Sequence, residues 1–505
     1  MYLLAIDLGT SSVKVIVVSL DGRVVSSATA GYPIHRPGSG LAEQDPEEWW
    51  RAVVTAVREA QAKIEAPSQD IAVIGLSGQM HGTVLLDKNG MVLVPVVIWP
   101  DLRAQRQVRE INAAIGIERI TELSGSPVAA GFQAATIRWF QQERPDIWRN
   151  VATVLTPKDF LRWRMTGELQ SEPSDGSGTL LLDIRSRKWS DELLRTVGIN
   201  RDLLPSIGPS RAIAGQLLDE AAGELGLPAG IDVIYGAADT AAGILGAGLV
   251  DDATLLLTLS TGGQIVVPQR ELRIDNKGRV HTFCSAMEPG QDRAAWYLLA
   301  AILSAGLSLR WLRNQIFQLT RKNAYQEMIS WAETAPPGAS GLLFLPYLSG
   351  VRTPHMDPMA RGLLMGLTAD HTRADFVRAV MEGVVMAAYD AYSVLHSLGA
   401  RPESIVMAGS GARSTLWRQI VADIFDLPVR RLLSPDHSAM GAALLAGSGA
   451  RLLKLDEQIT AWARYGPFTQ PETINTSRYR DIFVIFQNAY RTNRNDFHSL
   501  ANIDQ

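Results

Sequence analysis

The sequence predicts an α/β protein organised as two domains, on three observations. Runs of apolar alternation recur between helical patterns along the whole chain. Its 505 residues exceed what one hydrophobic core usually supports. A short apolar run closed by a small polar turn opens the chain around Asp7 to Ser12 and returns at Leu255 to Val267, which suggests two related halves. The expected boundary lies near 246–252, giving an N-terminal domain 1–248 and a C-terminal domain 249–505.

The elements follow in order. Leu3 to Ile6 and Val15 to Leu20 read as paired strands, and Asp21-Gly22 turns the chain into Arg23-Val24-Val25. A helix begins at Pro46, with Asp45 placed to cap it and Glu47 and Glu48 suited to its positive end. Ile71 to Leu76 is a strand. Thr83 to Leu86 and Met91 to Val94 flank Asn89-Gly90 and predict a second hairpin. Helices are expected at 105–114, 132–142, 157–165, 293–317, 373–398, 415–425 and 439–445, with strands at 341–345 and 405–408. The tail from Arg478 to Arg494 has an amphipathic helical pattern.

Composition narrows the function. With 48 Lys+Arg against 52 Asp+Glu the formal net charge is −4, and no long run of one sign marks a nucleic-acid or anionic-membrane surface. Small-molecule partners are expected. A single cysteine, Cys284, excludes an intramolecular disulfide and fits a reducing cytoplasm. No secretory leader is read at the N-terminus, and the apolar stretch 231–250 carries Asp239 and several glycines, unlike a lipid-facing helix.

Asp7 lies in an otherwise apolar strand, where an ionised carboxylate needs a cation or hydrogen bonds. The turn Gly9-Thr10-Ser11-Ser12 beside it offers backbone N–H groups and hydroxyls to phosphate oxygens, with Lys14 close by. Asp239 stands where a strand gives way to a small-residue helix, so it reads either as a helix cap or as a general base with room for a substrate. Gly78-Gln79-Met80-His81-Gly82 is a loop whose histidine is either structural or a contact to a hydroxylated ligand. Trp99 and Asp101 could bind sugar hydroxyls, but Asp101 could equally cap the next helix or pair with Arg103. Gly409-Ser410-Gly411-Ala412-Arg413 sits between strand and helix, as a tight turn or an anion contact. No P-loop, HExxH or GxSxG pattern occurs.

In order and spacing these segments resemble the FGGY carbohydrate kinase family. The likeness rests on Asp7 to Lys14, Leu76 to Gly82, Gly236 to Gly248, Phe344 to Gly350 with Arg352 to His355, and Gly409 to Arg413. The resemblance implies two actin-like ATPase (ribonuclease H-like) domains with ATP and a sugar bound in a cleft. It implies Asp239 as catalytic base, Met80 and His81 as sugar contacts with Trp99, Asp101 and Thr240 beside them, and Asp7 holding Mg²⁺ through water. Thr10, Ser11, Ser12, Thr261 and Gly262 would contact phosphates, and Gly409, Gly411 and Ala412 would line the nucleotide. The glycerol-phosphorylating branch has Arg-Glu where this chain has Met80-His81, so the implied substrate is a ketopentose, D-xylulose first. The chain departs from the ketopentose-phosphorylating branch of the family at Thr240, where Asn is usual, and at Val351, where Glu is usual. Other sugars of the same fold (ribulose, a deoxypentulose, gluconate) and an actin-like ATPase acting on a partner stay as alternatives. The reading admits a homodimer.

Overall fold

The structure is a computed structural model that describes residues 1–64, 70–290, 293–434 and 436–503. By contacts the chain forms two compact units. One comprises Met1–Asp251, Pro268–Tyr297 and Asp436–Arg464, and the other Asp252–Val267, Leu298–Pro435 and Tyr465–Gln505.

The first unit is built on a sheet in the order Ile213–Gln216, Asp232–Ile234, Ile71–Gly78, Tyr2–Leu8, Ser12–Ser19, Val24–Gly31. Tyr2–Leu8 runs antiparallel to Ser12–Ser19 and parallel to Ile71–Gly78. Its residues are apolar on both sides because both faces are covered. Leu4, Ile6 and Leu8 share a core with Trp49, Val53 and Val57 of the helix Pro46–Ala62, which Asp45 caps through the Glu47 N–H. Leu3 faces the helix His437–Gly449 instead, since its Cδ1 lies 3.0 Å from where a Cβ on Gly447 would stand. That helix also lies backbone to backbone on the helix Asp239–Gly246: a Cβ on Gly441 would sit 1.9 Å from the Ala242 carbonyl oxygen, and one on Gly246 1.8 Å from that of His437. Gly441→Ala should therefore lower the melting temperature by several degrees or prevent folding, whereas Gly223→Ala, whose Cβ would meet nothing within 4 Å, should change it by about a degree at most. Thermal unfolding of the two variants checks this.

The second unit repeats the plan. Thr254–Leu259 forms a hairpin with Gly263–Gln269 and runs parallel to Ser404–Ala408, which is parallel to Val429–Leu432, itself antiparallel to Tyr465–Thr469. In the first unit the corresponding path ends the same way, Ile71–Gly78 parallel to Asp232–Ile234 and that strand antiparallel to Ile213–Gln216. The two related halves expected from the turns at Asp7 and Ser260 thus share a sheet topology.

Three expectations are revised. Val84–Leu86 pairs with Thr153–Leu155, while 91–94 contributes only the bridge Leu86↔Val92 to the expected hairpin, Pro95 having no N–H to extend it. Within 293–317, Trp296–Ile302 is a strand, and helix begins only at Gly306. A strand apolar on both faces cannot be told from a buried helix by periodicity. Residues 268–297 and 436–464 pack with the first unit, although the sequence placed them after the boundary. The apolar helix His437–Gly449 does so because it covers the sheet of that unit.

Candidate active site

Strand register brings the acids of the first unit to one sheet edge. Asp7 is opposite Lys14 on one side and Ser77 on the other, and Ser77 is opposite Ala237 in the short strand that leads into Asp239. The Ser77 hydroxyl donates to Asp7 Oδ1 at 2.8 Å. Lys14 Nζ is 2.7 Å from Asp436 Oδ1, so this cation is shared with a third carboxylate. Asp7 and Asp239 keep partial access to solvent while lying deep among protein atoms. Burial first, then repulsion from Asp239 and Asp436, pushes the Asp7 carboxyl up to about 7, against the pull of Ser77 and Lys14. Burial likewise pushes Asp239 up to about 6, opposed by its bonds from Thr240.

Asp239 is not the cap of its helix. Ala238 holds that position, and Asp239 is the first helical residue. Its Oδ1 accepts the Thr240 N–H at 2.6 Å and the Thr240 hydroxyl at 3.1 Å. The carboxylate is thereby oriented through one oxygen. Three carboxylates in electrostatic contact with one lysine favour a cation among them. Among the described residues no group of three or more His, Cys, Asp or Glu is arranged as a cage. Asp7, beside Lys14 and in the field of Asp239 and Asp436, would suit a hydrated cation such as Mg²⁺.

The turn after Asp7 is tightly held. Gly9 N–H donates to Ser12 O at 3.0 Å, Tyr32 N–H to Ser11 O at 3.2 Å, and Gln44 Nε2 to Thr10 O at 2.7 Å. Trp99 Nε1 donates to Thr10 Oγ1 at 3.0 Å, so Trp99 braces this turn. Asp101 is a correction to the sugar-binding expectation. It is fully buried, and its oxygens accept the Ala42 N–H, the Arg103 N–H and two guanidinium bonds from Arg103. A carboxylate so occupied anchors its loop and has nothing to offer a sugar.

His81 adopts φ +73°, and its ring stacks on Phe132 with centroids 3.6 Å apart and planes 6° from parallel. Nδ1 lies 2.7 Å from Gly178 O, and a carbonyl oxygen only accepts, so Nδ1 carries the proton. Met80 is buried, its sulfur 3.8 Å from the Tyr297 hydroxyl. Phe283 and Tyr297, which no motif marked, extend the aromatic wall beside His81.

In the second unit, Thr258 and Ala408 are register partners, so the turns 260–262 and 409–412 leave the sheet at the same edge. They open on a cavity of about 630 Å³ lined by Ser260, Thr261, Gly306, Gly411, Arg413 and Tyr325, among others. Gly409 has φ +81°, and a Cβ there would stand 2.4 Å from Leu259 O. The buried Ala412 uses its carbonyl for Arg418, and Gly262 gives its carbonyl to Ser260 N–H at 2.9 Å. Gly306 and Tyr325 went unread in the sequence because their helices carry no motif.

The FGGY family model for the N-terminal domain of these carbohydrate kinases matches residues 2–246, and that for the C-terminal domain residues 256–450. The chain belongs to the FGGY family of carbohydrate kinases. A xylulose kinase of Bacillus subtilis (strain 168) is 34% identical to this FGGY kinase over 490 residues, 97% of this chain and 96% of the relative. A solved structure described as a xyloylose kinase from Brucella ovis superposes with a TM-score of 0.90 at 32% identity, covering 97% of this chain and 99% of that one. A gluconokinase of Bacillus subtilis (strain 168) is 28% identical over 512 residues, 99% of this chain and 98% of the relative. No helix among the described residues is long and apolar enough to cross a membrane.

Proposed function

We propose that this FGGY kinase transfers the terminal phosphoryl group of ATP to the terminal primary hydroxyl of a ketopentose, D-xylulose, forming D-xylulose 5-phosphate in the cytoplasm. The observation that carries the reading is the pair of carboxylates at one sheet edge, with Asp239 tied to Thr240 through a single oxygen. Phosphoryl transfer asks for positioning and charge neutralisation, with little covalent work for the protein. Asp239 orients the acceptor hydroxyl and takes its proton. Asp7 holds Mg²⁺ through water, and the ion, when bound, offsets phosphate charge. Met80 and His81 contact the sugar. Thr240, whose hydroxyl already serves Asp239, supports the base more than it reads the sugar. Thr10, Ser11 and Ser12 meet phosphate oxygens, as do Thr261 and Gly262, while Gly409, Gly411 and Ala412 line the nucleotide.

D-xylulose is preferred over gluconate because the xylulose kinase likeness is the higher at similar coverage. A substrate anion would also have to approach Asp7, Asp239 and Asp436. ADP release measured across D-xylulose, ribulose, a deoxypentulose and D-gluconate should give the highest kcat/KM for D-xylulose, at least tenfold above D-gluconate. A higher value for gluconate would reverse the assignment, and no stimulation by any sugar would end the kinase reading.

A further inference from the structure

The short helix Pro173–Gly178 is buried along its whole length and carries charge where a core would ordinarily be apolar. Glu172 caps it. Its carboxylate accepts the N–H groups of Ser174 and Asp175, each at 2.8 Å, and the hydroxyls of Ser174 and Ser210, each at 2.7 Å. Lys158 Nζ stands 3.8 Å from Glu172 and 3.3 Å from Asp175, all three side chains fully buried. Well-packed apolar side chains would serve stability about as well as such a cluster.

The contacts leaving this helix supply an orienting role. Ser174 Oγ, its proton given to Glu172, accepts the N–H of Ala238 at 2.9 Å, and Ala238 is the residue before Asp239. At the other end Gly178 O accepts from His81 Nδ1. A Cβ at Gly178 would stand 2.9 Å from Met80 Cε and 3.4 Å from His81 Nδ1, so the helix end presses directly on the Met80-His81 pair. Ser177 Oγ, on the same helix, accepts the Cys284 N–H at 3.1 Å. We infer that Glu172 and Ser174 are positioning residues of phosphoryl transfer: through one buried helix they fix the peptide that aims Asp239 and the carbonyl that orients His81. This rests on the reading of Asp239 as the base.

The test is Ser174→Ala in the full-length enzyme, assayed with D-xylulose and ATP. The variant should lose about 10–100-fold in kcat per folded molecule, keep its KM for ATP within twofold, and show an acid limb of kcat/KM moved to higher pH as the Thr240 bonds to Asp239 loosen. Glu172→Gln, which keeps the shape and loses the charge, should show the same pattern more weakly and serves where Ser174→Ala folds poorly. Ser177→Ala, on the same helix without the link to Ala238, should stay within about threefold of wild type. A folded Ser174→Ala enzyme with kcat within twofold and an unmoved acid limb, or equal losses for Ser174→Ala and Ser177→Ala, would overturn the inference. Asp239→Asn separates the two ideas. Wild-type turnover in that variant removes the base reading itself, whereas an inactive Asp239→Asn beside an unaffected Ser174→Ala removes the positioning role alone.

Discussion

Asp239→Asn is expected to lower turnover of D-xylulose by about 10²–10⁴-fold, with ATP affinity changed by less than about twofold. The substitution keeps the fold because Asn retains the oxygen that accepts from Thr240 N and Oγ1, and because Ala238, not Asp239, occupies the helix cap. What it removes is the second carboxylate oxygen, replaced by an amide that cannot take a proton. The pH dependence follows from the same group. Burial pushes Asp239 up to about 6, and a base must be ionised to act. Its protonation should cost wild-type kcat/KM about tenfold per pH unit below that value, added to the loss from protonating Asp7, pushed up to about 7. The residual activity of Asp239→Asn should lack the Asp239 part of this limb and keep the Asp7 part. A coupled ADP-release assay between pH 5 and 8, with calorimetry for ATP, measures both. Turnover near wild type in Asp239→Asn would end the assignment of the base.

Much of the candidate site could be picked out in the sequence because its residues break local rules. Asp7 is an acid in an apolar strand, and Gly9 to Ser12 form a turn too small and polar for a core, so a ligand reading followed from chemistry alone. Asp239 was equally visible, though its competing reading as a helix cap fell only to the backbone geometry that gives Ala238 that place. Misses came from long-range contacts that no local pattern records. Asp101 stood open between a sugar contact, a helix cap and a pairing with Arg103 until the folded chain supplied the Ala42 N–H and two guanidinium bonds. Asp436 gave no local signal, yet it takes Lys14, the cation the sequence offered to phosphate. Glu172 and Ser174 drew no reading from the sequence because their partners, Ser210 and Ala238, come from other segments. The strand Trp296–Ile302 was misread for a different reason, its apolar residues facing core on both sides.

Asp7→Asn should make the free enzyme more stable while nearly abolishing its activity. Asn fills the same space and its oxygen still accepts from Ser77, but it cannot ionise among Asp239 and Asp436. The sign follows from linkage. The folded state holds the Asp7 proton up to about 7, against an unfolded value of 3.8, so between these values the unfolded chain ionises first and the wild-type fold loses stability as pH rises. The loss is complete above about 7, where three units correspond to at most about 4 kcal/mol. At pH 5.5 roughly half of it has accrued. Thermal unfolding should therefore show Asp7→Asn melting above wild type at pH 8 by several degrees, and by a smaller margin at pH 5.5. MgATP should narrow the margin at pH 8, because a cation beside Asp7 stabilises the ionised wild-type carboxylate and does nothing comparable for the amide. Turnover of the variant should fall by at least 10²-fold, as expected if Asp7 holds the cation that offsets phosphate charge. A margin that is absent, or equal at both pH values, would show that Asp7 is not held against its own ionisation. A site that stores repulsion in the free enzyme and releases it on binding the metal and nucleotide makes the same carboxylate a cost to folding and a source of affinity for the cation.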